Sequence, residues 1–176
     1  MNNHPPSPAT LLLELPDPSA TEALGRWLGE HAQAGDIITL AGDLGAGKTT
    51  LTQAIGKGLL VAEEYYITSP TFAIIHEYPG RIPLYHLDLY RLADESEAEE
   101  LGIEEYLYGE GLCVIEWPDR LGGLMPESRL HIELILLSPT ARRATLHAIG
   151  PGWEERLAGM KAAFAAESEF RSQDSE

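Results

Sequence analysis

The sequence predicts an α/β fold: three layers, with a central mixed β-sheet between helices and hairpin strands added to it. Three observations predict this. Helical patterns interleave with short apolar runs rich in β-branched residues. One such run, IITLA (Ile37 to Ala41), passes directly into a glycine-rich loop and then a helical pattern. Two further pairs of runs are joined by short turns, which makes part of the sheet antiparallel.

In chain order, the first ten residues, MNNHPPSPAT, are rich in Pro and Asn and are expected to be frayed. They lack the basic region and long apolar core of a secretory signal. Leu11 to Leu15 reads as a short edge strand. Ser19 is a reasonable N-cap for a helix from Thr21 to Gln33, with Ala23, Leu24, Trp27 and Leu28 at helical spacing. Ile37 to Ala41 reads as a strand buried on both faces. After the glycine loop, Leu51, Ala54, Ile55 and Leu59 fall on one helical face. Phe72 to Tyr78 and Ile82 to Tyr90 read as two strands around a Pro79-Gly80-Arg81 turn. Asp94 to Glu105 reads as an acidic helix broken at Gly102, and Gly111 to Glu116 as a buried strand. Arg129 to Leu137 and Ala144 to Ile149 form a second hairpin around Ser138-Pro139-Thr140. Trp153 to Phe164 suits an amphipathic helix, followed by a solvated tail, SQDSE.

With 176 residues, 44% hydrophobic and 23% charged, the chain suits one globular domain with a real core. No apolar run approaches the ~20 residues of a membrane-spanning helix, so no membrane partner is expected. Cys113 is the only cysteine, which excludes an internal disulfide and a multi-cysteine metal site and fits a cytoplasmic location. The charge of -16, from 12 Lys+Arg against 28 Asp+Glu, argues against a direct grip on nucleic acid. It favours a protein partner with a basic face.

The loop GDLGAGKTT (Gly42 to Thr50) satisfies G-x-x-x-x-G-K-[ST], the Walker A or P-loop pattern, through Gly42, Gly47, Lys48 and Thr49. Its glycines let backbone N–H groups approach phosphates, and the following helix adds its positive N-terminal end. Lys48 would reach the β- and γ-phosphates and the Thr49 hydroxyl would ligate Mg²⁺. Phosphate binding therefore involves Gly42, Asp43, Leu44, Gly45, Ala46, Gly47, Lys48, Thr49 and Thr50. A P-loop site also needs a carboxylate at a neighbouring strand end. Asp88 closes LYHLD and Glu116 closes LCVIE, both where ligands bind in α/β sheets. The sequence leaves open which of the two ligates metal directly. Ser69-Pro70-Thr71-Phe72 lies where P-loop switches place a threonine on the metal or γ-phosphate; a plain turn is the other reading. Trp117 would stack on a base or fill the core. His76 and His86 read as solvated or core residues and Cys113 as inert packing.

Four ordered blocks resemble the TsaE family: GDLGAGKTT, SPTF (Ser69 to Phe72), HLDLYRL (His86 to Leu92) and VIEWPDR (Val114 to Arg120), with LGIEEY (Leu101 to Tyr106) between the last two. The resemblance covers about Leu11 to Ile149. It implies a P-loop NTPase-like ATPase domain over 11–150, after a flexible 1–10 and before a C-terminal helix and tail over 151–176. It implies a slow, Mg²⁺-dependent ATPase required for threonylcarbamoyladenosine in tRNA. It also implies docking on TsaB and TsaD type proteins, with tRNA met only through that complex. Lys48, Thr71, Asp88 and Glu116 match the family's catalytic positions, with Thr49, Glu116 and Asp88 at the metal. Trp117 follows the glutamate as in the family, while Asp119, Arg142 and the segment near Thr21 align near its nucleotide contacts. No arginine is placed obviously as a cis arginine finger, though Arg91 and Arg120 are candidates. A small-molecule kinase on the same fold is the rival reading, but DESEAEELGIEE is acidic where a kinase lid would be basic. A nucleotide-gated adaptor without turnover is a third.

Overall fold

The computed structural model describes residues 9–69 and 73–173. In chain order these residues form β1 (Ala9–Leu15), α1 (Pro18–His31), β2 (Ile37–Ala41), α2 (Lys48–Gly58), β3 (Ile75–Tyr78) and β4 (Leu84–Asp88). They continue through α3 (Glu95–Glu100), α4 (Glu104–Leu107), β5 (Leu112–Glu116), a 3-10 segment (Pro118–Leu124), β6 (Arg129–Leu136), β7 (Arg142–Ile149) and α5 (Glu154–Gln173). The expected mixed sheet is present, with seven strands in the order β1-β7-β6-β2-β5-β4-β3. At its centre β2 runs parallel to β5 on one side and to β6 on the other, and β4 runs parallel to β5. The hairpin strands β3 and β7, with β1 beyond, make the antiparallel margins. The chain leaves β2 for one side of the sheet and returns to the other, so the C-terminal end of β2 is the switch point where ligands bind.

The apolar pattern explains the layers. Ile38 and Leu40 of β2, Leu84 of β4, and Leu112 and Val114 of β5 share one core with Leu24 and Leu28 of α1 and Leu51 and Ile55 of α2. The opposite pleat, with Ile37, Leu87, Cys113 and Ile115, packs on Ala98 of α3, Leu107 of α4 and Ile103 at the N-cap of α4. Cys113 is buried, and that burial pushes its thiol pKa well above the ordinary range, as inert packing requires.

Several element ends differ from the sequence reading. The N-cap of α1 is Asp17, not Ser19: its Oδ1 accepts from the Ala20 amide at 2.8 Å, and Pro18 occupies the first helical turn, where no N–H is needed. The helix stops at His31 because Arg81 closes it, donating to the carbonyls of Gly29 (2.8 Å) and Ala32 (2.9 Å). Arg81 is thus more than a turn residue. The edge strand starts at Ala9, where Ala9↔Ala148 and Thr10↔His147 already pair with β7, so two residues of the expected frayed segment are ordered. Strand β4 ends at Asp88 because its Oδ1 accepts from the Tyr90 amide at 3.1 Å and turns the chain. Helix α5 continues to Gln173, through the start of the expected tail. It is seated by Trp153, Leu157 and Met160, and Arg156 donates to both oxygens of Asp36, at 2.5 and 2.9 Å.

Helices α1 and α2 touch backbone to backbone. A Cβ on Gly29 would lie 2.2 Å from the Ile55 carbonyl oxygen, and one on Gly58 would lie 2.2 Å from that of Arg26. Gly29→Ala should therefore destabilise the fold by about 1–3 kcal/mol, since backbone cannot step aside. Gly159→Ala, with nothing within 4 Å on an exposed helix face, should stabilise it by roughly 0.5–1 kcal/mol. Urea denaturation of the two variants checks both signs.

Candidate functional site

The P-loop follows from β2 directly. Gly42 has φ 152° and packs so closely on β6 that a Cβ there would lie 2.6 Å from the Leu134 carbonyl oxygen. Gly47 caps α2 in the left-handed region, at φ 104°. The cap brings no side-chain hydrogen bond and the first turn of α2 no acidic residue, so the orphan amides of that turn are not matched from within the helix. The loop is clamped from the start of β7: Arg142 donates through Nε to the Ala46 carbonyl at 2.8 Å, and through a terminal nitrogen to the carbonyls of Ser138 and Ala141 at 3.1 Å.

Lys48 is only 5% exposed. Its Nζ donates to the carbonyls of Gly42 at 2.6 Å and Asp43 at 3.0 Å, and lies 4.5 Å from the centre of the Trp117 ring. Burial lowers its pKa below the usual lysine value, opposed by the charges of Glu116, Asp88 and Asp43. Trp117 holds φ 59° and ψ 52°, a left-handed conformation uncommon for a bulky residue, immediately after the strand end at Glu116. Its ring packs on Tyr90 at 4.9 Å between centroids.

The two strand-end carboxylates are neighbours, because Asp88 and Glu116 are register partners across β4 and β5. Glu116 is buried; its Oε1 accepts from the Thr49 hydroxyl at 3.1 Å and from His86 Nε2 at 2.9 Å. Asp88 accepts from the Ser69 hydroxyl at 2.6 Å and from the Tyr90 amide. Like charges directly opposite on adjacent strands repel. A cation set between them relieves that repulsion. Among the described residues no group of three or more His, Cys, Asp and Glu is placed to cage a metal alone. Two carboxylates and a hydroxyl do fit Mg²⁺, which keeps waters and takes phosphate oxygens for the rest of its shell.

These groups line one cleft of about 410 Å³, within the range for small-molecule sites. It brings together Leu44, Gly45, Gly47, Lys48, Thr49, Thr50, Asp88, Glu116, Trp117 and Arg142, along with Ser69 and Arg91. Gly42, Asp43 and Ala46 instead line a depression behind the loop, against Glu133 to Leu136 of β6. Asp119 is exposed on the 3-10 segment and does not line the cleft, and Thr21 is buried in α1. Arg120 is not a cleft residue either; its Nε is buried without a hydrogen-bond partner among the described residues. Thr71 lies outside the described residues. Sequence reasoning missed His86 as a partner of Glu116. The signal was present: LYHLD alternates, so His86 shares the pleat of Leu84 and Asp88, a polar residue in an inward apolar row.

A strand, a glycine loop with lysine and threonine, and a helix N-terminus beside paired strand-end carboxylates define a P-loop nucleotide-site architecture on an α/β fold. A sequence model described as "Threonylcarbamoyl adenosine biosynthesis protein TsaE" matches residues 15–144, and the chain belongs to that family. It is 42% identical over 139 residues to the tRNA threonylcarbamoyladenosine biosynthesis protein TsaE of Bacillus subtilis, covering 78% of this chain and 85% of that one. The Treponema pallidum protein of the same name is 40% identical over 126 residues, covering 72% of this chain and 92% of its own. The crystal structure of Bacillus subtilis YdiB superposes with a TM-score of 0.73 at 34% identity, covering 90% of this chain and 97% of that one.

Arg142→Ala should free the loop from its clamp. A lost hydrogen bond from a charged donor is worth about 1.5–3 kcal/mol, so amide hydrogen exchange across Leu44 to Gly47 should accelerate about tenfold or more. Exchange followed by mass spectrometry reads this, with β4 and β5 peptides as the unchanged control.

Proposed function

We propose that the chain is a Mg²⁺-dependent ATPase that serves threonylcarbamoyladenosine formation in tRNA, working in the cytoplasm with TsaB and TsaD type proteins. The observation that carries this is the convergence of Lys48, Thr49, Asp88, Glu116 and the α2 N-terminus in one cleft. The names of the relatives supply the pathway.

In this reading the phosphates of ATP lie on Leu44 to Thr50. The α2 amides and Lys48 meet them; two of the three Lys48 ammonium protons are engaged by Gly42 and Asp43, which leaves one to donate. Bound Mg²⁺ would neutralise phosphate charge as it develops. Thr49 and Glu116 hold the metal, directly or through water. Asp88, fixed by Ser69 and the Tyr90 amide, orients the attacking water or a water of the metal shell. Trp117 covers Lys48 and offers a face for stacking. Thr71 would act as the switch threonine. Arg91 and Arg142 line the cleft, Arg142 being engaged with the loop, and among the described residues no arginine is aimed as an evident finger, so turnover by the chain alone should be slow. A partner that supplies or orders the missing group accounts for the dependence on TsaB and TsaD type proteins, and tRNA is reached only through them. The net charge of -16 accords with that.

Phosphate release from ATP, with and without the two partner proteins, tests this. Release should rise with partners; an arginine finger supplied in trans is worth about 10³–10⁵ in related NTPases. Lys48→Ala should abolish it, and Thr71→Ala should reduce it in the complex. Equal release with and without partners would reject partner dependence, and labelled product on a small acceptor would favour a kinase.

A further inference from the structure

His86 is fully buried, with no solvent exposure, in the middle of β4. Its cross-strand neighbour is Val114, and the positions on the same pleat toward the core are Leu84 and Leu112. An aliphatic residue would suit that place better, because burying a polar ring has a cost that only hydrogen bonds offset. Yet only one ring nitrogen is matched. Nε2 lies 2.9 Å from Glu116 Oε1, and Nδ1 is buried with no hydrogen-bond partner among the described residues. A carboxylate only accepts, so Nε2 carries the hydrogen and donates it. The bare nitrogen is then Nδ1, where an N–H would have no acceptor.

This one-sided arrangement is explained by the carboxylate it serves. Glu116 is one pleat further along β5, diagonal to His86. Thr49 and His86 both donate to its Oε1. Its Oε2 accepts no hydrogen bond from the described residues, and Glu116 lines the cleft. Thr49 is a weak anchor, since its hydroxyl is itself assigned to the metal. His86 approaches from beneath, out of reach of any ligand, and stays when Thr49 turns away.

We propose that His86 is a positioning residue: its Nε2–H fixes Glu116 by Oε1 and so holds Oε2 for the metal of a bound Mg²⁺–nucleotide. This rests on the ATP·Mg²⁺ reading of the cleft. His86 touches neither nucleotide nor metal.

The test uses the geometry of amide substitutes. In His86→Gln the side-chain amide nitrogen falls near the Nε2 position and can still donate to Glu116. In His86→Asn it falls near Nδ1 and cannot. ADP binding is measured by titration calorimetry with and without Mg²⁺ for the native chain and both variants, after circular dichroism and thermal melting establish that each is folded. The native chain should bind ADP more tightly with Mg²⁺. The Gln variant should keep that enhancement within about threefold, and the Asn variant should lose about tenfold or more of it, with Mg²⁺-free affinity unchanged in both. Two variants that keep the enhancement equally, or lose it equally, overturn the inference and leave the nucleotide reading standing. A folded Gln variant without enhancement overturns it even if the Asn variant does not fold. A native chain whose ADP binding ignores Mg²⁺ overturns the reading of the cleft and the inference with it.

Discussion

A carboxylate that is 3% exposed has to be matched by donors or give up its charge, and Glu116 is such a group. The surrounding structure follows from how that requirement is met. Its Thr49 donor sits on the first turn of α2, so the carboxylate pins the helix that follows the P-loop to the strand beside it. Its His86 donor sits on the next strand over, so the same group ties β4 to β5 at the end where Asp88 also stands. Lys48 then finds its charge complement in Glu116, Asp88 and Asp43, despite the burial that opposes the charged form. One buried anion thereby aligns three elements whose chain positions are far apart.

Two clamps keep the phosphate loop in register with that anion. From the front, the first residue of β7, Arg142, donates to the Ala46 carbonyl. From behind, Gly42 lies so close to Leu134 that the loop has no room to retreat into the sheet. Trp117 closes the site over Lys48 at the cost of a left-handed backbone, which costs on the order of 1–3 kcal/mol. The strain falls between the buried carboxylate and Pro118, a point where the chain must leave the strand abruptly to start the 3-10 segment.

What was legible in the sequence is what local pattern encodes. The P-loop has a fixed spacing, and the strands that carry Asp88 and Glu116 are apolar runs ended by an acid, so the order of residues places both groups at strand ends. The strands and the longer helices were readable for the same reason, including the hairpins and the break at Gly102, which has φ 66°, whereas the 3-10 segment Pro118–Leu124 was not. What escaped depends on contacts between distant segments. Arg81 reaches α1 from 52 residues away to cap Gly29, and nothing in a Pro-Gly-Arg turn announces it. The N-cap went to Asp17 because Pro18 makes a better first helical residue than the pattern of apolar positions suggested. Asp119 sits two residues beyond Trp117, but the positive φ of Trp117 and the 3-10 turn carry it out to solvent. His86 looked like any strand histidine until the sheet register put it beneath Glu116.

The contact between α1 and α2 also limits how this chain is able to vary. At Gly29 and Gly58 the nearest neighbours of any added carbon are main-chain atoms, and at Gly25 the Ala54 methyl would be 2.3 Å away. Main-chain atoms belong to every residue, so at Gly29 and Gly58 no compensating substitution across the interface makes room, whereas at Gly25 loss of the Ala54 methyl would relieve the closest contact. Gly29 and Gly58 are thus closed to side chains in a way that the apolar core, where one side chain trades volume with another, is not. The spacing between these two helices is therefore set by main chain and not by side-chain volume. Because α2 carries Lys48 and Thr49, the depth at which they stand in the cleft depends on two absent side chains.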